Sequence, residues 1–211
     1  MKKLCLQPIV LFCAVMLVAG CSLPGPRERT ISQHFMLDGG RSHEPNVQVS
    51  RTCLDLRVSS PGSAPGFGTS RMAYINAPPR LDYFAHHAWV DAPARMLETL
   101  LVTRLDRAGM FGAILSGAQD VRTELRLDSE LQRLVQTFDE SGSAVSLEIR
   151  VVLINNASRS LAGSRTFSYL ETADDENPLA GVAAANRAAN RFVDDLLEFL
   201  GDTIDSYECP P

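Results

Sequence analysis

The feature that most constrains the fold is a pair of neighbouring segments in which apolar and polar residues alternate. Within residues 121–135 one parity holds Val121, Thr123, Leu125, Leu127, Leu131 and Val135, and the other holds Arg122, Glu124, Arg126, Asp128, Glu130 and Gln132. A turn sequence follows at residues 139–142, and residues 145–153 then alternate in the same way. A period of two residues sends alternate side chains to opposite faces of a strand. The two segments therefore predict a long antiparallel hairpin with one buried face and one solvated face.

Two amphipathic helices are predicted, one on each side of this hairpin in the chain. The first has Asp91 as its N-cap, Pro93 in its first turn and Gly109 as a left-handed C-cap. The second has apolar residues at helical spacing through residues 182–200. Shorter strands are predicted at residues 34–37, 52–59, 71–76, 82–89, 111–115 and 161–169. Strands with segregated helices predict an α+β fold, a two-layer sandwich of a mostly antiparallel sheet with two long helices packed on one face.

The N-terminus carries the pattern of a bacterial lipoprotein signal. Two lysines precede a mostly apolar run, residues 4–18, which is short for a membrane-spanning helix of about 20 residues. Residues 18–21 match a lipobox, with small residues before a cysteine. We expect cleavage between Gly20 and Cys21 and lipidation of Cys21. An ordinary secretory signal that happens to end at a cysteine is the alternative.

Lipidation of Cys21 would anchor the protein to a membrane without a spanning segment. Several acyl chains make such anchoring stable, at about 0.8 kcal/mol per buried methylene group. Ser22 follows the cysteine, and by resemblance to enterobacterial lipoproteins a residue other than aspartate favours the periplasmic face of the outer membrane. The composition after Cys21 suits a tether. The predicted divisions are a signal peptide at 1–20, a lipidated N-terminus and tether at 21–32, and one domain at 33–211.

The cysteines divide by compartment. Cys5 and Cys13 leave with the signal and Cys21 is acylated, so Cys53 and Cys209 remain in an oxidising periplasm. We expect these two to form one disulfide, which closes a loop of 157 residues. On the chain-entropy model such a loop stabilises the fold by about 5 kcal/mol. Two unpaired thiols are the alternative, because the sequence does not give the distance between their Cα atoms.

The charge of the mature chain excludes several classes of function. Of the 20 basic residues in the full chain, the two lysines lie in the signal, so the mature protein has 18 arginines, no lysine and 25 acidic residues. An acidic chain offers few clustered cations to a phosphate backbone, so we expect no nucleic-acid partner. The lack of lysine excludes a Walker-type phosphate loop, a Schiff-base lysine and a Ser-x-x-Lys nucleophile.

No motif indicates an enzyme. His86 and His87 are adjacent on a predicted strand, so they point to opposite faces and cannot chelate one ion together. The sequence has neither a Gly-x-Ser-x-Gly elbow nor a His-Glu-x-x-His motif. We expect no catalytic residue, no metal and no cofactor other than the covalent lipid on Cys21. A periplasmic enzyme is the remaining alternative, with Cys53 as its conceivable nucleophile.

The final predicted helix ends in acidic residues, although the helix macrodipole favours cations at this end. The predicted docking patch consists of Asp194, Asp195, Glu198 and Asp202. One interpretation is a surface that binds a partner protein. The other is a solvated face that Arg187, Arg191 or other arginines partly neutralise.

The order of core and cap residues resembles that of the ABC-type transport auxiliary lipoproteins. The matching residues are Trp89, Pro93, Leu97, Leu101, Leu105, Gly109 and Phe111. The match continues through segments 125–135, 147–153, 159–167 and the alanine-rich segment 184–188, and the lipobox also fits. Most of these are core and cap positions, so the resemblance depends on their order and spacing.

The resemblance implies a lipoprotein of the outer membrane that works with other proteins. In such systems an MCE-domain protein and an ABC or membrane permease move lipid between membranes, and a homo-oligomer is left open. The rival non-enzymatic function is support of outer-membrane assembly, such as lipopolysaccharide insertion, because its sandwich fold would be similar. Fold alone does not decide between the two.

Overall fold

A mixed β-sheet carries both helices on one face. The computed structural model describes residues 33–38, 52–117, 121–205 and 207. The strands are β1 (Gln33–Phe35), β2 (Leu56–Val58), β3 (Gly62–Ser63), β4 (Arg71–Ala77), β5 (Arg80–Trp89), β6 (Ile114–Ser116), β7 (Leu125–Asp139), β8 (Gly142–Asn155) and β9 (Ser160–Thr172). The helices are α1 (Pro93–Ala108) and α2 (Pro178–Ile204). The predicted α+β sandwich is confirmed.

Strand β7 organises the sheet. One of its edges pairs antiparallel with β8, and β8 pairs antiparallel with β9. Its other edge meets β2, β3 and β4 in turn, and all three run parallel to it. The predicted mostly antiparallel sheet therefore holds for the long strands, whereas the short strands make the sheet mixed. Alternation within a strand carries no information about its direction relative to a neighbour, so the sequence pattern could not show these parallel pairs.

Helix α2 covers the long antiparallel strands. Its buried face is rich in alanine, which lets the helix approach the sheet closely, and Phe192 is fully buried in the core. The rings of Phe192 and Phe167 meet edge to face, with centroids 5.3 Å apart. The Asn177 side chain caps the helix by accepting a hydrogen bond of 2.9 Å from the Ala180 amide. Neither helix of the described chain has the length and apolar character needed to cross a membrane.

A β-bulge in β7 changes the predicted alternation. The sequence pattern places Leu131 and Val135 on the same face of the strand. The register opposite β8 shifts just after Leu131, so Leu134 takes the next position facing the helices. Val135 turns to the opposite face, where it packs with Ala73 and Ile75 in a second, small apolar cluster. The extra residue of a bulge reverses the parity of everything after it.

Helix α1 begins one residue later than predicted. Its N-cap is Ala92, which makes no side-chain capping bond, so the prediction of Asp91 as the N-cap was wrong. The Asp91 carboxylate instead accepts hydrogen bonds from the Ala92 amide and, at 3.0 Å, from Arg95 Nε. The bond from Arg95 lowers the pKa of Asp91. The predicted left-handed C-cap is confirmed, because Gly109 has a φ of 64°.

We expect Gly181→Ala to lower the free energy of unfolding by about 1 to 3 kcal/mol, because an added methyl group would collide with the side chain of Gln136 on β7. A Cβ at residue 181 would lie 2.1 Å from Oε1 of Gln136. Gln136 is buried, and its Nε2 donates to Ser143 Oγ at 3.0 Å and to the Asn177 carbonyl at 3.1 Å. Urea unfolding measures the loss. In a Gln136→Ala background, Gly181→Ala should not lower the free energy of unfolding. An equal loss in that background would contradict the clash with Gln136 as the cause.

Candidate functional site

The docking patch on α2 is divided between an inner and an outer pair of carboxylates. Asp194 and Asp195 are half-buried and have partners within the fold. Glu198 and Asp202 are exposed. The four predicted residues therefore lie on one helix, but they do not form one uniform surface.

Asp194 is the counterion of a guanidinium buried between the two helices. Arg104 on α1 is only 2% exposed, and its Nη2 lies 3.3 Å from Oδ1 of Asp194. The Nε atom of Arg104 is buried and has no hydrogen-bond acceptor among the described residues. Asp194 therefore has a structural role, because it neutralises the buried positive charge of Arg104.

Asp195 accepts a hydrogen bond of 2.6 Å from the hydroxyl of Tyr169 on β9. Burial of the phenol and this hydrogen bond both raise the pKa of Tyr169. The phenol is therefore protonated throughout the physiological pH range and serves as a permanent donor. Asp195 thus ties α2 to the last strand of the sheet.

The two arginines expected to neutralise the patch have other carboxylate partners. Arg191 Nη1 lies 2.6 Å from Oε1 of Glu171, a residue of β9. Arg187 lies 3.6 Å from Glu171 and 3.7 Å from Asp174. These pairs fasten α2 to β9 beside the patch.

Strand β9 forms an edge of the sheet. Within the described chain its 13 residues pair with β8 and with no other strand. Leu170 lies opposite Ser146, on the face away from α2, and is 70% exposed; Leu161 is 63% exposed. An edge strand presents unpaired backbone donors and acceptors to another chain. The sequence pattern predicted this strand, but it could not show that the strand is the outermost one.

A cavity of about 910 Å³ lies beside the first residues of β7, where β2 and the turn between β8 and β9 also lie. We call it the arginine cavity because Arg57, Arg122, Arg126 and Arg159 line it. The sequence analysis did not identify it. Arg57 and Arg126 lie on the polar parity of their strands, and the parallel pairing of β2 with β7 places them side by side. The sequence does show arginines near the ends of predicted strands, which is the one signal for this site. The pairing of β2 with β7, which the sequence does not show, is what brings Arg57 and Arg126 together.

The two histidines have different surroundings. The ring of His87 stacks on Phe35, with centroids 5.9 Å apart, and meets Phe84 edge to face. His86 is exposed. Among the residues that the structure describes, no group of three or more His, Cys, Asp or Glu side chains could hold a metal ion.

The predictions for lipidation and for the disulfide involve residues outside the described ranges. Gly20, Cys21 and Cys209 all fall there. Cys53 lies just before β2, between Thr52, whose amide donates to the Met110 carbonyl at 2.8 Å, and buried Leu54. Cleavage, lipidation and the pairing of Cys53 with Cys209 remain predictions.

Comparison with solved structures shows which folds the chain is similar to. The crystal structure of protein XCC0632 from Xanthomonas campestris matches with a TM-score of 0.69 at 20% identity, over 76% of this chain and 91% of that one. The hypothetical protein CT253 from Chlamydia trachomatis matches with a TM-score of 0.52 at 8% identity, over 74% of this chain and 100% of that one. At these identities the likeness concerns the fold alone.

A search of curated proteins gave no match. The family model of the ABC-type transport auxiliary lipoprotein component matches residues 42–196. This range contains the sheet from β2 to β9, helix α1 and most of α2. The chain therefore belongs to the family of ABC-type transport auxiliary lipoproteins.

Proposed function

We propose that this protein is the outer-membrane-anchored subunit of an intermembrane lipid transport system. Its partners are an MCE-domain protein and an ABC or membrane permease. The observation that carries the proposal is the family match over residues 42–196, which spans most of the sandwich. The lipobox that ends at Cys21 adds the membrane anchor, and Ser22 favours the outer membrane.

The subunit acts as an adaptor that binds its partner and catalyses no reaction. A partner strand can add to the exposed edge of β9 through main-chain hydrogen bonds, while exposed side chains give specificity. Leu170 supplies apolar contact area on one face of this edge. The acidic residues Glu198 and Asp202 provide charged contacts on α2. The tether predicted at residues 21–32 would let the domain reach a partner beside the membrane.

We expect an MCE-domain protein to be recovered in stoichiometric amount with the full-length lipoprotein. The envelope is first separated into inner and outer membranes, and the lipoprotein is then isolated from each in detergent and analysed by mass spectrometry. We expect the complex in the outer-membrane fraction. The variant Cys21→Ala should leave that fraction, because it has no acyl anchor.

The variant Leu170→Glu should reduce recovery of the partner about tenfold, equivalent to about 1.4 kcal/mol of binding free energy. Leu179→Glu is the matched control, because Leu179 is 64% exposed but lies on α2 rather than on the sheet edge. Equal losses from both variants would contradict docking at β9. Recovery of outer-membrane assembly factors alone would instead support the assembly function and overturn the transport proposal.

A further inference from the structure

The arginine cavity is positively charged, although the chain as a whole is acidic. The full sequence has a net charge of −5. Four guanidiniums line the cavity, whereas Glu124 is the one carboxylate among the described residues of its wall. Clustered positive charge in a concave site attracts anions and raises their local concentration. The cavity and the acidic surface on α2 therefore carry charges of opposite sign.

Hydrogen bonds between separate segments fix the walls of the cavity. Arg57 Nη2 donates to the carbonyl of Val121. The side-chain Nδ2 of Asn156 donates to the Thr123 carbonyl at 3.0 Å, and its backbone N–H donates to the Glu124 carbonyl at 2.8 Å. The Arg57 bond ties β2 to the chain that enters β7, and the two Asn156 bonds tie the turn between β8 and β9 to the same segment. The protein's own hydrogen bonds thus hold the walls of the site in place, which lowers the entropic cost of binding a ligand.

Two of the four guanidiniums are available to a ligand. Arg126 pairs with Asp128 at 3.0 Å, and the Glu124 carboxylate accepts a backbone hydrogen bond of 2.8 Å. Arg122 and Arg159 are exposed and form no ion pair with any residue that the structure describes. Arg159 also has a φ of 55°, a left-handed conformation that residues other than glycine seldom adopt. Such conformations persist where surrounding structure holds them, often at binding sites.

We propose that the arginine cavity binds a phosphate group, carried by a lipid headgroup or by a free phosphate. A guanidinium presents a planar fork of donors that matches phosphate oxygens, and Arg122 and Arg159 supply two such forks. Ser59 and Ser60 add hydroxyl groups to the wall. This mostly polar lining favours a headgroup over an acyl chain. The cavity volume of about 910 Å³ accommodates a glycerol phosphate headgroup. The inference depends on the cavity alone and does not require the transport partner.

The experiment titrates the full-length lipoprotein in non-ionic detergent by calorimetry at constant ionic strength. The probes are inorganic phosphate, dihexanoyl phosphatidylglycerol and dihexanoylglycerol, which has the same chains without phosphate. We expect phosphate-bearing probes to bind and the double variant Arg122→Gln/Arg159→Gln to weaken their binding about tenfold or more, because it removes two charged donors. The matched control is Arg107→Gln/Arg133→Gln, which removes two exposed arginines elsewhere. An unchanged thermal midpoint shows that each variant is folded.

The pattern of binding identifies the source of the phosphate. Binding of the phospholipid alone supports a lipid headgroup, and binding of inorganic phosphate alone supports a free phosphate. Binding of both supports the shared chemistry. The proposal is overturned if neither phosphate probe binds, if dihexanoylglycerol binds as well as the phospholipid, or if the cavity variant and the control bind equally.

Discussion

Replacing Asp194 with alanine should lower the free energy of unfolding by about 3 kcal/mol. Breaking a buried ion pair costs about 3 to 5 kcal/mol, because the remaining charge has no counterion and no water. The Arg104 side chain is 3% exposed, whereas that of Asp194 is 30% exposed, which favours the lower end of this range. The Nε atom of Arg104 already lacks an acceptor among the described residues, so the guanidinium has little else to bind. Urea unfolding followed by circular dichroism measures the loss.

The control for this prediction lies on the same helix. Glu198 is exposed, so Glu198→Ala should change stability by no more than about 0.5 kcal/mol. A second variant, Arg104→Met/Asp194→Ala, removes both charges and should recover most of the loss, because an apolar side chain can replace a buried guanidinium. Equal stability of the Asp194 and Glu198 variants would show that Arg104 does not need this counterion.

This prediction also decides how the docking patch is tested. A variant of Asp194 that fails to bind a partner would show only that the helices had separated. Glu198 and Asp202 are the patch residues whose substitution leaves the core contacts intact. Reversing their charges in the full-length lipoprotein therefore tests docking without disturbing the interface between α1 and α2.

The long elements could be predicted from the sequence because each follows from a continuous local pattern. In β8, the residues from Val145 to Leu153 alternate between buried and less buried positions without interruption. The C-terminus of α1 follows from Gly109, which has no Cβ and takes the left-handed conformation at little cost. Patterns of this kind depend on neighbouring residues alone, so one sequence suffices to interpret them.

The rest depends on residues that meet only after folding. Arg104 lies at helical spacing from Leu97 and Leu101 on the buried face of α1, but no pattern within that helix identifies Asp194 of α2 as its counterion. The bulge after Leu131 has a local signal, because Arg133 and Leu134 break the alternation, but the register with β8 decides where the extra residue lies. The arginine cavity likewise requires β2 beside β7, since Arg57 and Arg126 are far apart in the chain. Core strands and the acidic residues of α2 were therefore predictable, whereas the arginine cavity and the partners of the buried charges were not.

The predicted disulfide between Cys53 and Cys209 should change the free energy of unfolding by a similar or larger amount. If Cys53 and Cys209 form a disulfide, Cys53→Ser should lower the free energy of unfolding by about 3 to 5 kcal/mol, because the bond restricts a loop of 157 residues in the unfolded chain. The core fixes the position of Cys53 through buried Leu54. At the other end, Tyr207 packs against the core and its amide donates to the Ile204 carbonyl at 2.9 Å. The chain is therefore held to within two residues of Cys209.

Two measurements test the disulfide. Alkylation of the denatured full-length lipoprotein without reductant, followed by intact-mass analysis, should leave both cysteines unmodified. In urea unfolding, dithiothreitol should lower the free energy of unfolding of the protein with both cysteines. It should not lower that of Cys53→Ser, which has no disulfide to reduce. Reductant is the matched control, because it removes the bond without changing the side-chain volume at residue 53. Alkylation of both thiols before reduction would contradict the pairing, and equal stability of oxidised and reduced protein would show that the C-terminal segment is held by the contacts of Tyr207 instead.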